Sequence, residues 1–168
     1  MRISVRTWPW FLFSLGAVLF LADAALKNFV YKYVEVYPLF CWGWLDLYLQ
    51  CVTNQGIAWG MFQAFPKSIF VTRLFVVFGL ILYYFQCRQK RNMAVCIMLI
   101  LVGALGNIFD FLYYGCVIDM FHFLFWGHSY GIFNVSDFYI FMGAIGLLLC
   151  SIYNDRKRTL AAVDKVHE

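Results

Sequence analysis

Two aspartates, Asp119 in "GCVIDMF" and Asp137 in "NVSDFYIF", stand eighteen residues apart in nearly uncharged surroundings. Two carboxyl groups that face each other share one proton, because they resist ionising together. The ionised member then acts as general base on a water, and the protonated member polarises a carbonyl. Such a pair would hydrolyse an amide with neither metal nor cofactor. No HExxH and no hydroxyl or thiol nucleophile motif competes with it. His122 follows Asp119 by three and His128 is near, but they form no tight ligand cluster, so no metal is expected. Asp137 also has a plainer reading as a helix N-cap, shared with Asn134 and Ser136. Capping needs only one of the three and leaves Asp119 unexplained.

The elements that must position this pair follow from composition. Of 168 residues, 64% are hydrophobic and 13% charged, and the mean hydropathy is +0.74. Soluble domains run at about 45–50% apolar and about 25% charged, so the solvent of this chain is lipid. Nothing in the composition suggests a nucleic-acid partner. The length suits a single domain over 1–168. Crossing the hydrocarbon core takes roughly 20 apolar residues in a helix. Four stretches qualify, about 8–26, 68–86, 94–114 and 132–153. They are too long for barrel strands, and helices satisfy their own backbone groups in lipid.

Basic residues set the direction. Arg2 and Arg6 precede the first span, Arg88, Lys90 and Arg91 fill the link between the second and third, and Arg156, Lys157 and Arg158 follow the fourth. The positive-inside rule puts both termini in the cytoplasm and turns connections 28–67 and 115–131 outward. The N-terminal stretch imitates a cleavable secretory signal ending in Ala22-x-Ala24. Its apolar run is long for that role, Asp23 interrupts the motif, and losing it would split the basic residues across the membrane. It is therefore read as a retained span.

The outward connections carry their own structure. "LDLYLQCVT" alternates as a half-buried strand does, and "VYKYVEVY" is rich in strand-forming residues. "NQGIAWGMF" follows, with Gly56 and Gly60 suited to a turn. A small outward-facing β-sheet is expected here, with a short interfacial helix over the aromatic stretch 120–128. The expected fold class is thus a mainly α membrane protein: four transmembrane helices, a small sheet and that helix. The six cysteines (41, 51, 87, 96, 116, 150) contain no CxxC. Cys41 and Cys51 share one outward connection, where a disulfide is permitted but not required.

The ionisable groups of the spans all fall at one depth. With the orientation above, Asp23, Lys27, Arg73, Asp110, Asp119 and Asp137 lie near the outer boundary, and the inner halves carry none. Intramembrane acids mark function by default. Asp23 and Lys27, four apart, also suit a helical ion pair. Arg73 suits snorkelling toward the outer headgroups, and Asn107 with Asp110 suits bonds between helices. A proton-coupled transporter is the alternative reading, and it would spread its acids across the membrane.

At these residues the chain resembles the lipoprotein signal peptidases (signal peptidase II), bacterial inner-membrane aspartyl peptidases. "DAALK" (23–27) is similar to a family box D-Q-x-x-K, with Ala24 for Gln. "NQGIAWG" (54–60) fits N-x-G-x-A-[FW]-[GS], and "GALGNIFDF" (103–111) fits G-A-x-G-N-x-x-D-R except at Phe111. "GCVIDM" (115–120) fits G-x-V-x-D-F apart from Met120, and "FNVSD" (133–137) fits F-N-x-A-D with Ser136 for Ala. The resemblance implies that Asp119 and Asp137 are the catalytic pair. It implies that Asn54, Gly56, Asn107, Asp110, Asn134, Asp23 and Lys27 bind substrate or support the site. It further implies a monomer surrounded by membrane lipid, with diacylglyceryl-modified prolipoproteins cut just before the lipidated cysteine near the periplasmic face. Arg73, at similar depth, is expected to substitute in part for the arginine missing at 111.

Overall fold

The structure, a computed structural model, describes residues 8–56 and 61–164. Arg2, Arg6 and the turn proposed around Gly60 lie outside the described residues. Four helices are long and apolar enough to cross a membrane: α1 (Trp8–Tyr33), α2 (Pro66–Cys87), α3 (Arg91–Tyr114) and α4 (Val135–Asp164). The chain is a multi-pass membrane protein. Helix α3 is the axis, packing against each of the other three, and it is by far the most buried. Met98, Leu101, Val102 and Ile108 of α3 build the apolar core with Leu12 of α1 and Val77 of α2. Large apolar side chains such as Phe75, Phe78, Leu148 and Leu149 stay exposed, as a lipid-facing surface requires.

Helix α1 runs beyond its expected end at Leu26. Lys27 and Val30 are both fully buried against the bundle, which keeps the helix wound through Tyr33. The first half of "VYKYVEVY" is therefore helix, and the strand begins only at Val36.

The sheet is a four-stranded antiparallel meander: β1 (Val36–Trp42), β2 (Leu45–Asn54), β3 (Val117–Phe125) and β4 (His128–Phe133), in that order. The short interfacial helix expected over 120–128 is absent, since those residues form most of the β3–β4 hairpin. Phe121, Phe123 and Phe125 alternate with His122 and Leu124, and their rings meet one another and Phe133 on one face. That period of two is a strand's. Trp126 and Gly127 close the hairpin, both at positive φ, as a type I′ turn requires. Trp126 N–H donates to the Trp44 carbonyl at 2.8 Å and the two indoles lie 5.7 Å apart, so the hairpin tips are tied together.

Two local features aim the sheet at the bundle. Gly115 adopts φ 75° and its N–H closes α3 on the Phe111 carbonyl, a left-handed cap that launches β3 two residues later. Strand β2 carries a bulge: Leu49 pairs with Phe121 but Val52 pairs with Asp119. The extra residue puts Asn54, opposite Val117, on the same sheet face as Asp119 and diagonal to it.

Candidate active site

Asp119 lies in the buried half of β3, and Asp137 lies in the first turn of α4. Asn134 joins them. Its Nδ2 donates to Asp119 Oδ1 at 2.7 Å, and its backbone N–H donates to Asp137 Oδ2 at 3.3 Å. Its Oδ1 accepts the Asp137 backbone N–H at 2.9 Å. Asn134 is thus the N-cap, and Asp137 returns the bond as the partner of a capping box does. The residue that caps α4 is also the one that links the two carboxylates.

The remaining carboxylate oxygens also meet amides. Asn54 Nδ2 donates to Asp119 Oδ2 at 3.1 Å, and Asn107 Nδ2 donates to Asp137 Oδ1 at 2.8 Å. Among the described residues no Lys or Arg is ion-paired with either aspartate. Burial, and next the charge of Asp137, push the Asp119 carboxyl up to about 6, against the bonds from Asn54 and Asn134. A carboxyl in that range can be either proton donor or acceptor near neutrality.

Behind the pair sits a buried ionic cluster. Lys27 Nζ reaches Asp23 Oδ2 at 2.9 Å, Asp110 Oδ2 at 2.7 Å, Ser136 Oγ at 3.0 Å and Asn107 Oδ1 at 3.2 Å. The 23–27 ion pair expected from spacing exists, and Asp110 finds its cation in α1 rather than at 111. Phe111 instead stacks on Phe70 of α2 at 5.1 Å. Ser136 is the member that sequence reasoning weighed only as a cap. Its Oγ donates to Asp23 Oδ2 at 2.7 Å and its N–H to Asp23 Oδ1 at 3.1 Å. The approach is possible because a Cβ at Gly106 would collide with the Ser136 hydroxyl, and one at Gly103 with the Ser136 carbonyl.

Arg73 does not snorkel away. Its Nη2 donates to the Gly56 carbonyl at 2.9 Å, and it lines a cavity of about 620 Å³ with Asn54, Asn107, Asp119 and Asp137. Ten of ten site candidates named from the sequence therefore gather at the sheet-bearing end of the bundle. A larger groove, about 700 Å³ between α1, α2 and α3, is lined by apolar and aromatic residues and holds no carboxylate or amine, so it faces lipid rather than chemistry. Cys41 and Cys51 are both free thiols. Among the described residues no three His, Cys, Asp or Glu are grouped to hold a metal ion.

Fold and site define a polytopic membrane protein with a buried, amide-bonded carboxylate pair at one end of its helices. The chain belongs to the signal peptidase II family of peptidases: residues 15–153 match the family described as Signal peptidase (SPase) II. A lipoprotein signal peptidase of Pasteurella multocida is 36% identical over 156 residues, covering 84% of this chain and 88% of that one. One from Chlamydia pneumoniae is 31% identical over 120 residues, covering 70% and 71%. Two solved bacterial membrane enzymes share the fold, each 22% identical. One has a TM-score of 0.75 over 86% of this chain and 89% of its own. The other has 0.70 over 83% and 91%.

Proposed function

We propose that this peptidase is an aspartyl endopeptidase that removes the signal peptide from diacylglyceryl-modified prolipoproteins, cutting just before the lipidated cysteine. The observation that carries the reading is the pair itself: Asp119 and Asp137 held by Asn134, with an amide donor on every carboxylate oxygen. One aspartate takes a proton from water as it attacks the scissile carbonyl, and the other, protonated, donates to the developing oxyanion. The tetrahedral intermediate then collapses, with a proton passing to the leaving amine. Asn54, Asn107, Gly56 and Arg73 support the pair, and Asp23, Lys27 and Asp110 brace α1 and α3 behind it. No cofactor is required by this chemistry.

The surroundings suit such a substrate. Gly131 and Ile132 of the edge strand β4 line the cavity, so an extended segment can add to that edge. Ile140, Phe141 and Ala144 continue the lining along α4 and offer acyl chains or a signal helix an apolar wall. The basic links argue for an inner-membrane enzyme, active as a monomer among lipid, with both termini cytoplasmic and the site near the periplasmic face. The gathering of acids at one end speaks against a transmembrane proton relay.

The test is cleavage of a diacylglyceryl-modified lipobox precursor by the purified protein. Asp119→Asn and Asp137→Asn should each reduce it by about 10²–10⁴-fold or more while leaving the protein folded. Full activity in either variant, or loss of activity to a chelator, would overturn the reading.

A further inference from the structure

We propose that Arg73 is a positioning residue for Asp119, acting across the gap between α2 and the sheet through Gly56 and Asn54. This rests on the peptidase reading above for its role in catalysis, but not for its geometry. Three bonds run in series. Arg73 Nη2 donates to the Gly56 carbonyl at 2.9 Å, Gly56 N–H donates to Asn54 Oδ1 at 2.9 Å, and Asn54 Nδ2 donates to Asp119 Oδ2 at 3.1 Å.

Each link has a physical reason. Asn54 is the last residue of β2 and pairs with Val117; beyond it the chain leaves the sheet ladder. Gly56 is buried, so its carbonyl needs a partner within the protein. Arg73 supplies it from a half-buried position in a helix whose principal packing is on α3. A guanidinium keeps its charge and presents several donors in a fixed plane, which lets it hold a carbonyl at the membrane boundary. The Gly56 N–H in turn fixes which end of the Asn54 amide faces Asp119: with Oδ1 occupied by a donor, only the NH₂ can point to the carboxylate. Release of Arg73 frees residue 56, and Asn54 loses the contact that orients it.

The charged and titratable groups around Asp119 are Asp137 of α4, Lys27 of α1, Arg73 of α2 and the Cys116 thiol just before β3. Arg73 can therefore act by charge as well as through the chain of bonds, and the experiment must separate the two. Arg73→Met, Asn54→Ala and the double variant are purified. The Asp119 carboxyl is titrated by carbon-13 NMR, and cleavage of the lipidated precursor is followed in parallel. Arg73→Met and Asn54→Ala should each lower cleavage about tenfold or more and move the Asp119 titration upward by a similar amount. The double variant should match Asn54→Ala alone, because both remove one chain of contacts.

A further upward shift when Arg73→Met is added to Asn54→Ala would mean that the Arg73 charge acts directly and not through Gly56 and Asn54, and would overturn the proposal. So would lower cleavage with an unmoved titration. Arg73→Lys keeps the cation with a shorter reach and serves if Arg73→Met does not fold. Its cleavage and titration should move together, and cleavage falling alone overturns the proposal again. If the wild-type protein fails to cleave the precursor, the peptidase reading falls, while the titrations still decide the positioning role.

Discussion

Asn107 Nδ2 lies 2.8 Å from Asp137 Oδ1, and the other end of the same amide decides that it is the nitrogen that points there. Asn107 Oδ1 accepts from Lys27 Nζ at 3.2 Å. An ammonium has donors only and a carboxylate acceptors only, so the amide cannot flip without losing both. A cation buried in the bundle thus orients a carboxylate it does not touch.

Asn107→Leu removes both contacts at similar volume. It should lower the stability of the purified protein by about 1–3 kcal/mol, from the buried partners left unmatched, with cleavage falling at least tenfold. Thermal unfolding in detergent and the precursor assay read the two effects. Near-wild-type cleavage would deny Asn107 its part in holding Asp137.

The Asp119 carboxyl, pushed up to about 6, owes part of that to the charge of Asp137. Asp137→Asn should move its titration back toward the usual carboxylate range, as carbon-13 NMR can report. A folded-state value above the unfolded one means that the folded protein holds the proton more tightly. The resulting stability is full below about pH 4 and is lost as pH rises through about 6. The rise from 3.8 to about 6 corresponds to a pH-dependent contribution of order 3 kcal/mol. Asp119→Asn should flatten that section of the stability profile, and an unchanged slope would count against a shifted carboxyl.

Lys27 is fully buried between two acids. Lys27→Met strands Asp23 and Asp110 without their cation and should cost about 3–5 kcal/mol. Adding Asp110→Asn should recover part of the loss, because one uncompensated charge disappears. If the double variant is no more stable than the single, the cluster is not held by charge.

Gly106→Ala should push the first turn of α4 away from α3, since its Cβ has no room beside the Ser136 hydroxyl. Both cleavage and melting temperature should fall. Gly79→Ala in α2 is the matched control: nothing lies within 4 Å of its Cβ, and it should be neutral or stabilise by about 0.5–1 kcal/mol. Equal behaviour of the two variants would rule out close helix approach as the role of Gly106.

What was legible in the sequence was what repeats or stands out against a uniform background. The four spans are long apolar runs, and a carboxylate in such surroundings is conspicuous, so Asp119, Asp137 and the 23–27 pair could be found by type and spacing. Strand β2 declared itself by strict alternation. The stretch 120–128 suggests a helix rather than part of the β3–β4 hairpin because every residue from Met120 to Phe125 except His122 is apolar. The period of two shows only when the phenylalanines are counted apart from Leu124 and His122, and when Trp126-Gly127 is taken as a two-residue turn. The end of α1 is not legible in local preference, because Lys27 and Val30 stay helical through burial against the bundle, a property of packing. Ser136 could not be assigned to the ion cluster, since its partner Asp23 is 113 positions away and only the small residues of α3 bring them together. The direction of the Arg73 side chain likewise depends on a backbone carbonyl, Gly56, which no residue type announces.

Asn134 gives the carboxylate pair a birth order. Asp119 leaves the ribosome well before the residues of α4, and until that helix winds, neither the Asn134 cap nor Asp137 is in position. A chain halted before α4 has Asp119 without Asp137 and without the Asn134 amide, so the two-carboxylate arrangement exists only once the last helix is made.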